Sequence, residues 1–179
     1  MSIIPNPSDA VQALEEARAL LQNLTPLKIN CGRLCGGACC QPSPDDDGEN
    51  GMLLFPCEER FYQEPIEGMP FHLVDDDTLF EGGKRFVCEG SCVREHRPLA
   101  CRIFPLRMRV EEEKEIHAEA EIDPRAWCVC PLLEQGGLRA MSQDFVKAVE
   151  AAGNALCKNE SMLEALRNEQ RLLDEMRRL

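Results

Sequence analysis

The sequence CGRLCGGACC occupies residues 31–40 and places four cysteines within ten positions. A second group follows in CEGSCVREHRPLACRIFP at residues 88–105, and WCVCP at residues 127–131 adds a final pair. Short spacings of this kind let several thiolates reach one metal ion or cluster. The segment from Asn30 to Asn50 is rich in glycine, proline, cysteine and aspartate, so we predict that it is an ordered loop held together by its ligands.

The cellular compartment decides whether such thiols form disulfides or bind metal. The first ten residues, MSIIPNPSDA, lack the basic run and apolar core of a signal peptide, and no apolar stretch is long enough to cross a bilayer. We therefore expect a cytoplasmic protein without membrane contact, in which the eleven cysteines serve mainly as metal ligands. A secreted protein with disulfides is the alternative, although an odd number leaves one thiol unpaired.

The charge of the chain argues against a nucleic-acid partner. The net charge is −12 and the isoelectric point is about 4.7, whereas phosphate binding needs a basic face. Arginines are nevertheless concentrated around the second cysteine group, where they could keep thiolates ionised, receive an anion, or simply be solvated or paired with glutamates. These residues are Arg94, Arg97, Arg102, Arg107 and Arg109.

The length of 179 residues suits one domain. We predict an α+β fold with a small, irregular, cysteine-rich and metal-bound core at residues 30–132, which includes a short antiparallel hairpin. An N-terminal helix precedes this core. A C-terminal helical hairpin at residues 138–179 packs on it.

Hydrophobic periodicity supports these elements. Apolar residues at helical spacing predict a helix from Ser8 to about Gln22, a second over residues 138–156, and a third that begins with the capping-box residues Ser161 and Glu164. The acidic stretch at residues 44–51 lacks the EF-hand pattern, so we interpret it as a solvated turn.

Strand signals lie between the cysteine groups and beyond them. Residues 71–74 and 84–87 are short strand candidates. Alternation over residues 106–110 and 116–122 predicts an antiparallel hairpin with one buried face, followed by a helical turn capped by Asp123. A brief helix should also carry Phe61 and Tyr62.

Eight thiolates would serve two metal sites. The adjacent Cys39 and Cys40 point to opposite sides in an extended backbone, so one metal ion could bind both thiolates only if the backbone were distorted. Two metal centres or a multinuclear cluster could bind both without that distortion. The predicted ligands are Cys31, Cys35, Cys39, Cys40, Cys88, Cys92, Cys101 and Cys130. Cys128 competes with Cys130 for the eighth place, and His96 is a further candidate ligand.

Two cysteines are left out of this ligand set. Cys157 falls in a predicted helix, where cysteine behaves as a small buried hydrophobe. Cys57 could have a lowered pKa at a helix start, although Glu58 and Glu59 oppose that shift. The ligands themselves suit both zinc and iron–sulfur chemistry, and the sequence contains no ferredoxin-type cysteine run.

The combined motifs resemble the YkgJ-type cysteine-cluster proteins, a bacterial family described as a zinc- or iron-chelating domain. The resemblance extends roughly from Asn30 to Leu132. An acidic insertion after Cys40 and the C-terminal helices depart from the compact form of the family. The matching residues are Cys31, Cys35, Cys39, Cys40, Cys88, Cys92, Arg97, Pro98, Cys101, Arg102, Phe104 and Pro105.

This resemblance implies metal binding, for which two functional classes are open. We favour a metal-binding protein whose sites are structural or handle metal, because fully ligated thiolate sites leave no open position for a substrate. The alternative is an iron–sulfur enzyme of methyl-transfer or redox type related to the flagellin lysine N-methylases. Under either hypothesis, Arg97 and Arg102 could hydrogen-bond to ligand sulfur or to a nearby carbonyl, or could form ion pairs with neighbouring carboxylates.

Overall fold

A computed structural model describes residues 7–29, 35–40, 51–89 and 92–178 and shows the predicted α+β class. Two antiparallel sheets alternate with the helices along the chain. Within the described ranges, every helix is too short or too polar to cross a lipid bilayer. The α-helices are α1 (Pro7–Leu20), α2 (Leu99–Ile103), α3 (Gln143–Cys157) and α4 (Glu160–Met176).

The first sheet carries part of the second cysteine group. Its strands are β1 (Met52–Leu53), β2 (Phe71–Asp75) and β3 (Lys84–Cys88), and β3 lies in the centre with antiparallel neighbours on both sides. Both strand candidates are confirmed, each one residue longer than predicted. The brief helix with Phe61 and Tyr62 is a 3-10 turn, Glu58–Tyr62.

The predicted hairpin consists of β4 (Leu106–Glu111) and β5 (His117–Ile122). Leu106 pairs with Ile122 and Val110 with Ala118, which confirms the alternation. The expectation of a single buried face was wrong. Arg107 points to the opposite face and is 2% exposed, because its guanidinium forms ion pairs with Glu121 and Asp174.

The helix boundaries differ from the sequence prediction where backbone geometry overrides periodicity. Residues 137–140 form a 3-10 turn instead of starting α3, since the preceding Gly136 has φ +129° and Gly137 has φ +59°. The cap of α4 is Asn159, whose side chain accepts a hydrogen bond from the Met162 amide. The predicted capping-box start at Ser161 was therefore placed too late. The Asp123 cap is confirmed.

The large core joins the three longer helices to the β4–β5 hairpin. Helix α3 lies in its centre and contacts α1, α4 and both strands. Gly153 permits this arrangement, because a Cβ there would lie only 2.5 Å from that of Ala118. The residues that fill the large core include Ala10, Leu14, Ala17, Leu21, Ile103, Leu106, Met108, Val110, Ala118, Phe145, Val149, Leu156, Met162 and Leu166.

The small core lies under the three-stranded sheet and consists of Leu54, Tyr62, Met69 and Phe86. The ring centroids of Tyr62 and Phe86 are 4.7 Å apart. Cys88 and Cys92 pack against this cluster. Two cysteines of the second group are therefore attached to the smaller of the two apolar clusters.

Candidate metal centre

The first cysteine group is only partly described. Cys35 is half-buried and precedes Gly36 and Gly37, which both have positive φ. The 3-10 turn Ala38–Cys40 follows, with Cys39 exposed. Cys31, the side chain of Cys40 and the predicted acidic turn up to residue 50 lie outside the described residues.

The structure places two cysteines of the second group, Cys88 and Cys92, against the small core. Cys88 is the last residue of β3, and Cys92 follows a short connection from it. Cys101 lies in α2 and is half-buried. The pKa of Tyr62 in the small core is raised by burial and by the charge of Glu58, and the charge of Arg18 and its hydrogen bond offset this only in part.

A guanidinium group contacts a predicted ligand directly. Arg97 Nε donates a hydrogen bond to Cys92 Sγ over 2.9 Å. Arginine has no acceptor and keeps its charge, so the sulfur must accept this bond. A thiolate accepts far better than a thiol does, and the contact therefore favours the ionised form of Cys92.

Arg102 bonds to carbonyl groups instead of sulfur. Its guanidinium donates to the backbone oxygens of Arg97, at 3.1 Å, and of Arg18, at 3.3 Å, and also to that of Glu95. The side chain is buried. Burial, together with the nearby charge of Arg18, lowers the pKa of Arg102 to about 10.

A second arginine reaches the same segment from α1. Arg18 Nη1 donates to the Arg97 carbonyl at 3.2 Å, and Nη2 donates to the Glu95 carbonyl at 3.3 Å. The Tyr62 hydroxyl donates to the intervening His96 carbonyl at 2.9 Å. The carbonyls of residues 95–97 are thus all held by side chains from distant parts of the sequence. We call this backbone segment the 95–97 turn.

Glu58 anchors this arrangement from inside the protein. Its carboxylate is fully buried and accepts hydrogen bonds from the amides of Leu99 and Phe55 and from Arg18 Nη1. Burial raises the pKa of Glu58, and the two amide bonds and the Arg18 charge offset this only in part. The Arg18 guanidinium also lies over the Phe61 ring, 4.8 Å from its centroid.

The final cysteine pair is placed differently from the second group. Cys128 ends the 3-10 turn Pro124–Cys128 and is exposed. Cys130 is half-buried, packs against the large core, and donates its amide hydrogen to the Ala126 carbonyl over 2.8 Å. The His96 ring is exposed, and its backbone carbonyl is the group that takes part in the 95–97 turn.

The two cysteines excluded from the ligand set pack against the large core. Burial raises the pKa of the Cys157 thiol, as expected for a small buried hydrophobe. Cys57 has φ +64°, and burial followed by the charge of Glu59 raises its pKa. The suggested lowering of the Cys57 pKa was therefore wrong, because the desolvation cost exceeds any helix-terminus effect.

Within the described ranges, no three side chains of His, Cys, Asp or Glu converge closely enough to count as a preformed metal-binding group. The residues that the sequence analysis missed are Arg18, Glu58 and Tyr62. The only signals for them in the sequence were that Arg18 is the single basic residue of α1 and that Tyr62 is the single tyrosine of the chain.

The chain was also compared with known proteins. Protein-family models, curated proteins and solved structures gave no match to it. The resemblance to the cysteine-cluster family therefore rests on the motif residues themselves.

Proposed function

We propose that the chain binds metal through about eight cysteine thiolates, either as zinc or as an iron–sulfur cluster, in a structural or metal-handling role. The ligands are those predicted from the sequence. They provide two thiolate-rich segments, and Cys130 or Cys128 completes the second.

The observation that carries this proposal is the hydrogen bond from Arg97 Nε to Cys92 Sγ. Thiolate ligands of zinc and of iron–sulfur clusters characteristically accept N–H···S bonds from groups outside the ligand set, which tune their basicity and charge. A cysteine that served only as an apolar side chain would not need a cationic donor directed at its sulfur.

The surroundings of the second cysteine group fit a soft, anionic ligand set. Among the described residues, Arg97 donates to the Cys92 sulfur, and Arg18 and Arg102 both donate to the Glu95 carbonyl, which lies between Cys92 and Cys101 in the sequence. Guanidinium groups near this segment would compensate the negative charge that several thiolates concentrate. When bound, the metal would cross-link these loops, or exchange electrons if it is an iron–sulfur cluster.

Metal analysis of matched variants tests the proposal. The protein is purified anaerobically and assayed for zinc, iron and acid-labile sulfide, with a visible absorption spectrum. We expect about two zinc ions per chain without colour, or iron with matching sulfide and a brown colour. Cys92→Ser should lose the metal of the second segment and so reduce the metal content to about half.

The matched control is Cys157→Ala, since this half-buried thiol lies in α3 and is outside the ligand set. It should keep the full metal content. A wild-type protein without metal, or a Cys92→Ser protein with undiminished metal, would refute the proposal. Iron with matching sulfide would in addition justify a test of S-adenosylmethionine binding, which the enzyme alternative requires.

A further inference from the structure

We infer that Arg18, on the N-terminal helix, is a positioning residue that holds Arg97 in place to donate its hydrogen bond to Cys92. The inference deepens the proposed function and rests on it where metal is concerned. The geometric part of the inference, from Arg18 to Arg97, has a readout of its own that does not use metal content.

Arg97 is carried by a short backbone segment. The 95–97 turn lies between two predicted ligands, Cys92 and Cys101, and consists of the last two residues of the 3-10 turn Arg94–His96 and the residue after it. A segment this short has too few hydrogen bonds of its own to fix a side chain. The side chains that bind its carbonyls therefore contribute to holding its conformation.

Arg18 has the widest set of contacts among those side chains. Its two terminal nitrogens bond to the carbonyls of Glu95 and Arg97 at the two ends of the turn. The same guanidinium pairs with Glu58 at 3.4 Å and donates to the Tyr62 hydroxyl at 3.3 Å. Arg18 thus links the turn to two groups that are fixed in the protein interior.

Arg102, which also binds carbonyls of the turn, is attached to the backbone of α1. Arg102 Nη1 donates to the Arg18 carbonyl, so the position of α1 also sets the position of Arg102. Loss of the Arg18 side chain would leave the buried Glu58 carboxylate without its cationic partner, and the turn would lose two of its bonds. Arg97 would then no longer be held at hydrogen-bonding distance from the Cys92 sulfur.

Nitrogen-15 NMR of the arginine side chains gives a direct test. The Arg97 Nε–Hε signal is assigned by its loss in Arg97→Lys, and its solvent exchange is measured in the protein as purified. We expect slow exchange in the wild type. In Arg18→Met, exchange should become about tenfold faster or more, as expected when a hydrogen bond to a charged acceptor is lost.

Two further variants separate positioning from general stability. Ala17→Gly weakens α1 at a fully buried neighbour without touching the guanidinium, so it should lower the melting temperature and leave the Arg97 exchange rate unchanged. Arg18→Lys keeps the charge opposite Glu58 but cannot reach both carbonyls. It should restore stability and give an intermediate exchange rate.

The metal-loaded protein provides an independent readout. In Arg18→Met, transfer of metal to a competing chelator should be about tenfold faster than in wild type and in Ala17→Gly. Unchanged Arg97 exchange in Arg18→Met, or equal acceleration in Ala17→Gly, would overturn the inference. A chain that holds no metal would refute the proposed function alone, since the NMR comparison would still decide the role of Arg18.

Discussion

At the scale of single residues, Gly153 determines how closely α3 approaches the β4–β5 hairpin. An added Cβ would lie 2.5 Å from Ala118 Cβ and 3.3 Å from Met108 Cγ. Gly153→Ala should therefore destabilise the protein by up to about 2 kcal/mol, because overpacking costs about 1–3 kcal/mol and the gain in helix propensity offsets only about 1 kcal/mol of it. The free energy of urea unfolding measures the effect.

A double-mutant cycle with Ala118→Gly checks this mechanism. Removal of the opposing methyl group makes room, so Gly153→Ala should cost about 1 kcal/mol less in the Ala118→Gly background. Equal costs in both backgrounds would show that the contact with Ala118 is not the cause.

Only one of the two arginines that act near Cys92 could be predicted from the sequence. Arg97 lies in the motif itself, so a role near the ligands was predictable from its position. Arg18 is 77 residues away from Glu95 in the sequence, and no local pattern signals that its guanidinium reaches that carbonyl. A buried polar network of this kind depends on tertiary packing, which periodicity does not encode.

At the scale of secondary-structure elements, ion pairs attach α4 to the hairpin. Arg107 on β4 donates two hydrogen bonds to Glu121 on β5 and one to Asp174 on α4. Arg177, just beyond α4, also donates to Glu121 at 2.7 Å. Glu121 therefore receives cations from both the neighbouring strand and the end of the covering helix.

This arrangement predicts a pH dependence of stability. Burial opposes ionisation of Glu121, but hydrogen bonds from Arg177 and Arg107 outweigh it and lower its pKa below the ordinary value of 4.5. Because the folded-state pKa is lowered, the stabilisation is present above pH 4.5 and is lost as the pH falls through the folded-state pKa. Glu121→Gln should cost roughly 1–2 kcal/mol at pH 7 and progressively less below pH 4.5.

Urea unfolding at several pH values between 7 and 3 measures this difference. Glu119→Gln on the same strand is the control, since Glu119 is exposed and lies 3.9 Å from its nearest arginine, Arg109. Its cost should stay within about 0.5 kcal/mol at every pH. A Glu121→Gln penalty that persists undiminished at pH 3 would contradict the assigned cause.

Element prediction from the sequence succeeded where one periodicity dominated. The β4–β5 hairpin follows a strict alternation, and its strands were found with nearly correct boundaries. The start of α3 was misplaced because residues 138–141 share the helical spacing of apolar residues, while the positive φ values of Gly136 and Gly137 set a separate turn. Burial of Arg107 was missed because charged residues on a hairpin normally face solvent.

At the scale of the whole molecule, the two apolar clusters are very unequal. The large core contains three helices and the hairpin, while the small core has four buried residues beneath three short strands. Four such residues bury little surface compared with the entropy of ordering the loops around them. The small core therefore depends on the bonds to the 95–97 turn and, under the proposed function, on metal at Cys88 and Cys92.

Metal removal should accordingly affect the two clusters differently. After chelation, the helical circular dichroism signal should persist, while amide protection in β1, β2 and β3 should fall. Hydrogen exchange with mass spectrometry, before and after metal is restored, measures both regions in one experiment. Loss of protection throughout the helices, or full retention of it in the sheet, would contradict this division.

The packing of α1 against α3 also has a consequence during translation. Glu16 in α1 pairs with Lys158, which follows it by 142 residues. At about 5–20 residues per second, the ribosome needs roughly 7–28 s to complete that interval. The thiols of residues 88–101 are thus synthesised before α3, the helix on which α1 packs in the large core, so the final position of α1 and of Arg18 forms only late in synthesis.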